Sequence, residues 1–86
     1  MVVSESVERA KALAFSILDE IEREEPNLSE TDIYIMRVRL ANISSFFTLN
    51  EFTLLAYDFA KAYPSQKERI ERILSLLREA FFGTQG

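Results

Sequence analysis

Three helix-start signals punctuate the chain and leave little freedom over what it folds into. Leu28-Ser29-Glu30-Thr31-Asp32-Ile33 places a hydroxyl three residues before a carboxylate, with an apolar residue on each side. Phe47-Thr48-Leu49-Asn50-Glu51-Phe52 repeats the arrangement, and Ser65-Gln66-Lys67-Glu68 supplies its capping half. In each, the hydroxyl accepts an orphan backbone N–H of the first turn, and the carboxylate can return to the cap's own N–H. In the first two, the flanking apolar pairs (Leu28 with Ile33, Phe47 with Phe52) match a hydrophobic staple, which fixes the angle of entry into the helix.

These signals divide the chain into four segments with helical periodicity. In the first, Val7, Ala10, Ala14, Ile17 and Ile21 step by three and four, and Pro26 closes the segment. The second carries Ile33, Met36, Leu40, Ile43 and Phe47. Its stretch Ile33–Leu40 is β-prone and alternates around Arg37 and Arg39. A lone strand would have nothing to pair with, and the cap and staple favour helix. The third carries Phe52, Leu55, Phe59 and Ala62, with Leu49, Ala56 and Tyr63 beside them, and Pro64 closes it. The fourth carries Ile70, Ile73, Leu74, Leu77, Ala80 and Phe81, and Gly83 suits the position after its last turn. The expectation is an all-α bundle of four antiparallel helices over about residues 5–24, 30–44, 49–62 and 66–82, with residues 84–86 as a tail. The turn at 63–65 is tight enough to let the last two helices meet orthogonally.

Eighty-six residues suit one domain spanning 1–86 with a modest core, since a chain of this size buries roughly 60–65% of its unfolded surface. Chains this small usually draw extra stability from disulfides, metals or oligomerisation. Cysteine and histidine are both absent, which excludes disulfides and zinc sites and leaves self-association as the remaining source. No metal or cofactor is expected. The Glu-x-x-His signature of di-iron bundles needs a histidine, and the acids lack the spacing of a calcium loop. No apolar run reaches the length of a membrane span, and residues 1–5 carry no basic start to a leader, so the expected location is the cytoplasm. Seven arginines against three lysines, with two glycines, suit a heat-adapted chain. An enzyme is not expected: nucleophile–base pairs and glycine-rich phosphate loops are both missing, and a small bundle rarely leaves room for a substrate cleft.

The net charge of −4 is uneven: residues 1–32 hold nine acids against three bases, and residues 33–86 five against seven. An acidic chain is a poor binder of nucleic acid or anionic membrane. Within the acidic half, Asp19–Glu25 crowds carboxylates at the C-terminal end of the first helix, against its dipole. Lys67 and Arg69 break the same rule at the start of the fourth helix, and in an up-down bundle the two anomalies meet at one end. Docking of a basic partner is the functional alternative for this run. Residues 29–63 also resemble a helix-turn-helix in outline. However, Glu51 and Asp58 would repel phosphate, and Ser44-Ser45 lacks the usual turn glycine.

The residues that point to function are surplus apolar ones. A surface helix normally shows one apolar stripe. The second segment shows more, because Tyr34, Val38 and Ala41 lie well round from its core stripe and Ile35 lies further still. Phe15, Leu54, Tyr57 and Phe82 are also off-stripe. The expected function is protein–protein association, with a second copy or another protein, through Phe15, Tyr34, Val38, Ala41, Tyr57 and Phe82, with Arg37 and Arg39 setting orientation at the rim. The alternative is an accessory subunit that touches nucleic acid through Arg37, Arg39, Lys61, Lys67, Arg69, Arg72 and Arg78. Lys67–Glu71 and Glu68–Arg72 at i,i+4 read more simply as a solvated helix face.

Overall fold

Serine hydroxyls start the first three helices. Ser4 accepts the Val7 N–H at 3.2 Å and opens α1 (Glu5–Glu24). Ser29 accepts the Asp32 N–H and opens α2 (Glu30–Ala41). Ser45 accepts the Thr48 N–H and opens α3 (Phe46–Ala62). A single 3₁₀ turn, Pro64–Gln66, leads into α4 (Lys67–Phe82). This computed structural model describes residues 4–83; the expected tail at 84–86 and the first three residues lie outside the described residues. No strand forms among the described residues, so the β-prone stretch Ile33–Leu40 is helical.

Two of the expected starts are corrected. The third helix begins at Ser45, not at Thr48. Ser45-x-x-Thr48 is itself a capping box in which Thr48 is the return partner: its hydroxyl accepts the N–H groups of Ser45 (3.0 Å) and Ser44 (2.9 Å). The start therefore moves a turn earlier, and the expected staple does not form. Phe52 is fully buried while Phe47 is 69% exposed. The earlier cap also shortens the second helix, which ends at Ala41 rather than near residue 44. Ser65 is not a cap either. It sits within the 3₁₀ turn and donates its hydroxyl to Glu25 Oε1 at 2.7 Å, and α4 starts with no side-chain cap. At the far end Gly83 adopts φ 77°, ψ 149°, a conformation open to glycine for want of a Cβ, and donates its N–H to Glu79 O.

Each helix packs on its chain neighbours, and α1 closes the ring by packing on α4 in the most extensive contact. Side-chain links fix the directions. The C-terminal half of α1 meets the start of α4 through Arg69, the start of α2 meets the end of α3 through Tyr63, and the start of α3 meets the end of α4 through Phe46 and Phe82. The helices are therefore antiparallel around the ring. The core joins Ala14, Leu18 and Ile21 of α1, Met36 and Leu40 of α2, Phe52 and Ala56 of α3, and Ile73, Leu74 and Leu77 of α4. Alanines at 14 and 56 are fully covered and admit the bulk of Phe52 and Leu18 across the bundle. The buried stripe of α3 runs Leu49–Phe52–Ala56–Phe59, so Leu55 is half-buried and Ala62 exposed, a rotation from the expected Phe52–Leu55–Phe59–Ala62.

The C-terminal end of α2 is satisfied from another helix. Lys11 of α1 is buried and donates Nζ–H to Ala41 O (3.0 Å) and Ile43 O (3.1 Å). These carbonyls lack intrahelical donors, so the ammonium acts as a C-terminal cap across the α1–α2 seam.

Candidate interaction surface

The geometry of α2 follows from a short helix that is apolar around most of its circumference. Ile33, Met36 and Leu40 face the core and are buried. At about 100° per residue, Val38 lies opposite that face, with Tyr34 and Ala41 turned toward α1 and Ile35 toward α3. Tyr34 is 66% exposed, Val38 37% and Ile35 36%, and Ala41 is exposed. Four apolar side chains thus lie together on the uncovered side of one helix.

The two arginines of α2 flank this face and behave differently. Arg37, on the α1 side, donates to Asp19 (2.8 Å) and Glu22 (2.5 Å). Burial pulls its guanidinium pKa down, but hydrogen bonds to Asp19 and then Glu22 outweigh this and hold it above its ordinary value. Arg37 is therefore a tie between α1 and α2. Arg39, on the α3 side, is exposed and makes no ion pair among the described residues. On that same side, Asp32, Ile35 and Asp58 line a depression of about 120 Å³ between α2 and α3, floored by Met36, Leu55 and Phe59.

Of the remaining residues of the expected surface, Phe15 is partly buried, packs against the core and lies on the edge of α1 that faces α2, between Lys11 and Asp19, while Tyr57 and Phe82 lie elsewhere. Tyr57 is on α3, accepts a hydrogen bond from Arg78 (3.1 Å) and borders a separate open groove of about 720 Å³ with Leu54, Asp58, Ala60, Lys61 and Lys67. Phe82 sits at the opposite end of the bundle from Tyr63, stacked on Phe46 with ring centroids 5.2 Å apart. Off-stripe position alone groups these residues with α2, because periodicity says which side of a helix is apolar but not which neighbour that side faces. Phe46 also lies near Phe81, with ring centroids 5.7 Å apart, and the Ser45-x-x-Thr48 box is the sequence signal that places it there.

Several basic residues of the C-terminal half lie in different parts of the bundle. Arg69 donates to Glu20 (3.2 Å) and Glu24 (2.7 Å), which raises its pKa, with Glu24 the larger influence. Lys61 and Lys67 border the α3 groove, and Arg37 lies in the α1–α2 seam. The acidic run of α1 is correspondingly occupied. Glu25, at its end, accepts from Ser65 and Gln66, and these bonds, Ser65 first, hold its carboxyl below the ordinary glutamate value. Nearby, Ser29 N–H donates to the Tyr63 hydroxyl (3.0 Å), which donates in turn to Asp32 Oδ2 (2.6 Å). The carboxylate raises the Tyr63 pKa, and the Ser29 bond partly opposes it. The capping box expected at Ser29 thus closes through a tyrosine from the end of α3. Among the described residues no set of acids is arranged to hold a metal ion, and no helix is long and apolar enough to cross a membrane.

No protein-family model matches this chain, and no curated protein or solved structure matches it either.

Proposed function

We propose that this chain is a protein-association domain that self-associates through the outer face of α2. The observation carrying this reading is that α2 is apolar on two sides and the bundle covers only one. A helix apolar all round is ordinarily buried all round. Here Tyr34, Ile35, Val38 and Ala41 form the side left over. Tyrosine and arginine, both present on this face and its flanks, are enriched at protein interfaces. The small core, without disulfide or zinc, gives a second reason for a partner, since burial of this face would add to a limited total.

Replacing Tyr34 and Val38 together by glutamine tests the reading. Association measured by light scattering should weaken by tenfold or more, while the far-ultraviolet circular dichroism stays that of the native helices. Loss of helix content would place both residues in the core and end the proposal. Unchanged association would place the contact elsewhere.

A further inference from the structure

We infer that the second copy docks antiparallel on α2, about a two-fold axis near Ile35, with Arg39 of each copy seated against Asp32 and Asp58 of the other. This rests on the reading of α2 as a self-association face and specifies how the two copies meet. Arg39 and Asp32 lie seven residues apart on the same flank of α2, about 10 Å along the axis at 1.5 Å per residue. Arg39 has no carboxylate partner among the described residues, and Asp32 and Asp58 have no cationic one. Asp32 is bound on Oδ2 by Tyr63, and no bond engages Oδ1 among the described residues. Asp58 is exposed beside it, across the depression that also takes Ile35.

A two-fold axis perpendicular to α2 and lying in the contact plane reverses the helix while keeping like flanks together. Arg39 of one copy then falls opposite Asp32 of the other, and the same contact recurs on the far side of the axis, as an isologous interface requires. Ile35 lies beside the axis and Val38 within a turn of it, so the apolar residues close the middle. A parallel pair would instead bring the α3-side flank of one copy against the α1-side flank of the other at equal height. Arg39 would then approach Arg37, a like-charge contact that disfavours this register.

The test is a pair of charge reversals, Arg39→Asp and Asp58→Arg, studied separately and mixed, with sedimentation equilibrium on the full chain. Both side chains are exposed, so folding, followed by circular dichroism, should be unaffected. Each variant alone should dimerise roughly tenfold or more weakly than wild type, through two lost contacts per dimer. An equimolar mixture should recover part of the lost affinity and associate more tightly than either variant alone. In the mixed dimer the carboxylate introduced at position 39 of one chain meets the guanidinium introduced at position 58 of the other, offset by the unchanged Asp32 beside it. The unchanged Arg39 of the second chain meets Asp32 and Asp58 of the first. Should a reversal unfold the chain, Arg39→Gln and Asp58→Asn carry the same comparison with smaller losses. A wild-type dimer that loosens on Tyr34 and Val38 substitution yet ignores both reversals, or a mixture that fails to recover, overturns the antiparallel pairing and leaves self-association standing. A wild-type chain that stays monomeric overturns both.

Discussion

Helices α1 and α2 lie side by side and dispose of their apolar residues in opposite ways. In α1 the buried apolar residues Val7, Ala10, Ala14, Ile17, Leu18 and Ile21 form one stripe, joined by buried Lys11, and most of the rest of its surface is charged, with Leu13 the exposed large aliphatic. In α2 the buried set is three residues, and four apolar ones face outward. The first helix buries most of its apolar residues within the bundle. The second has a face that its own chain does not cover, and its flanks differ too: Arg37 is tied to α1, whereas Arg39 makes no ion pair among the described residues. The contrast teaches that total hydrophobicity is a weaker guide to an interface than the match between a helix's apolar positions and its buried ones.

Substitutions can break this contrast or sharpen it. The largest effect belongs to the inner face of α2: Leu40→Ala removes a fully buried side chain and should lower unfolding free energy by about 2–5 kcal/mol in denaturant titration. Next comes the seam between the two helices. Lys11→Met leaves the Ala41 and Ile43 carbonyls without their ammonium donor and should cost about 1–3 kcal/mol by the same measurement. Tyr63→Phe opens the relay that closes the Ser29 cap and should lower the melting temperature by about 4–8 °C.

Acid titration gives a smaller effect with a defined sign. The folded-state pKa of Glu25 is depressed, so its ionised form stabilises the fold above the ordinary glutamate value. That contribution fades as pH falls from there through the folded value. The stability gap between wild type and Glu25→Gln should therefore hold near neutral pH and narrow as pH falls below the ordinary glutamate value in thermal melts. The smallest change in fold stability belongs to the outer face of α2. Under dilute conditions Tyr34→Gln with Val38→Gln should shift unfolding free energy by no more than about 0.5 kcal/mol. A set of variants ranked in this order separates residues that hold the fold from those that face a partner.

Much of the fold is legible in the sequence because local signals and periodicity agree. The Ser29 cap, the Pro26 and Pro64 stops, Gly83 and the stripes of α1 and α4 each give the right element. The start of α3 is not legible in the same way, because two hydroxyl-based boxes overlap at residues 45–51. The Glu51 carboxylate, attractive as a return partner in sequence, takes no hydrogen bond among the described residues, whereas Thr48 closes the earlier box. The meeting of the Asp19–Glu25 run with the start of α4 is also legible, since opposite anomalies at one end imply compensation. Arg69 provides it as expected, and Arg37 adds to it from α2. The candidate surface is legible only in part. Tyr34, Val38 and Ala41 can be read from angle alone. The depression between Asp32 and Asp58 cannot, because it depends on which flank of α2 meets α3.

The most direct test of the central claim is the mass of the wild-type chain in solution, by sedimentation equilibrium across a wide concentration range. Self-association through α2 predicts a mass that rises with concentration toward twice the 9.9 kDa of one chain. A mass that stays at one chain throughout would contradict it.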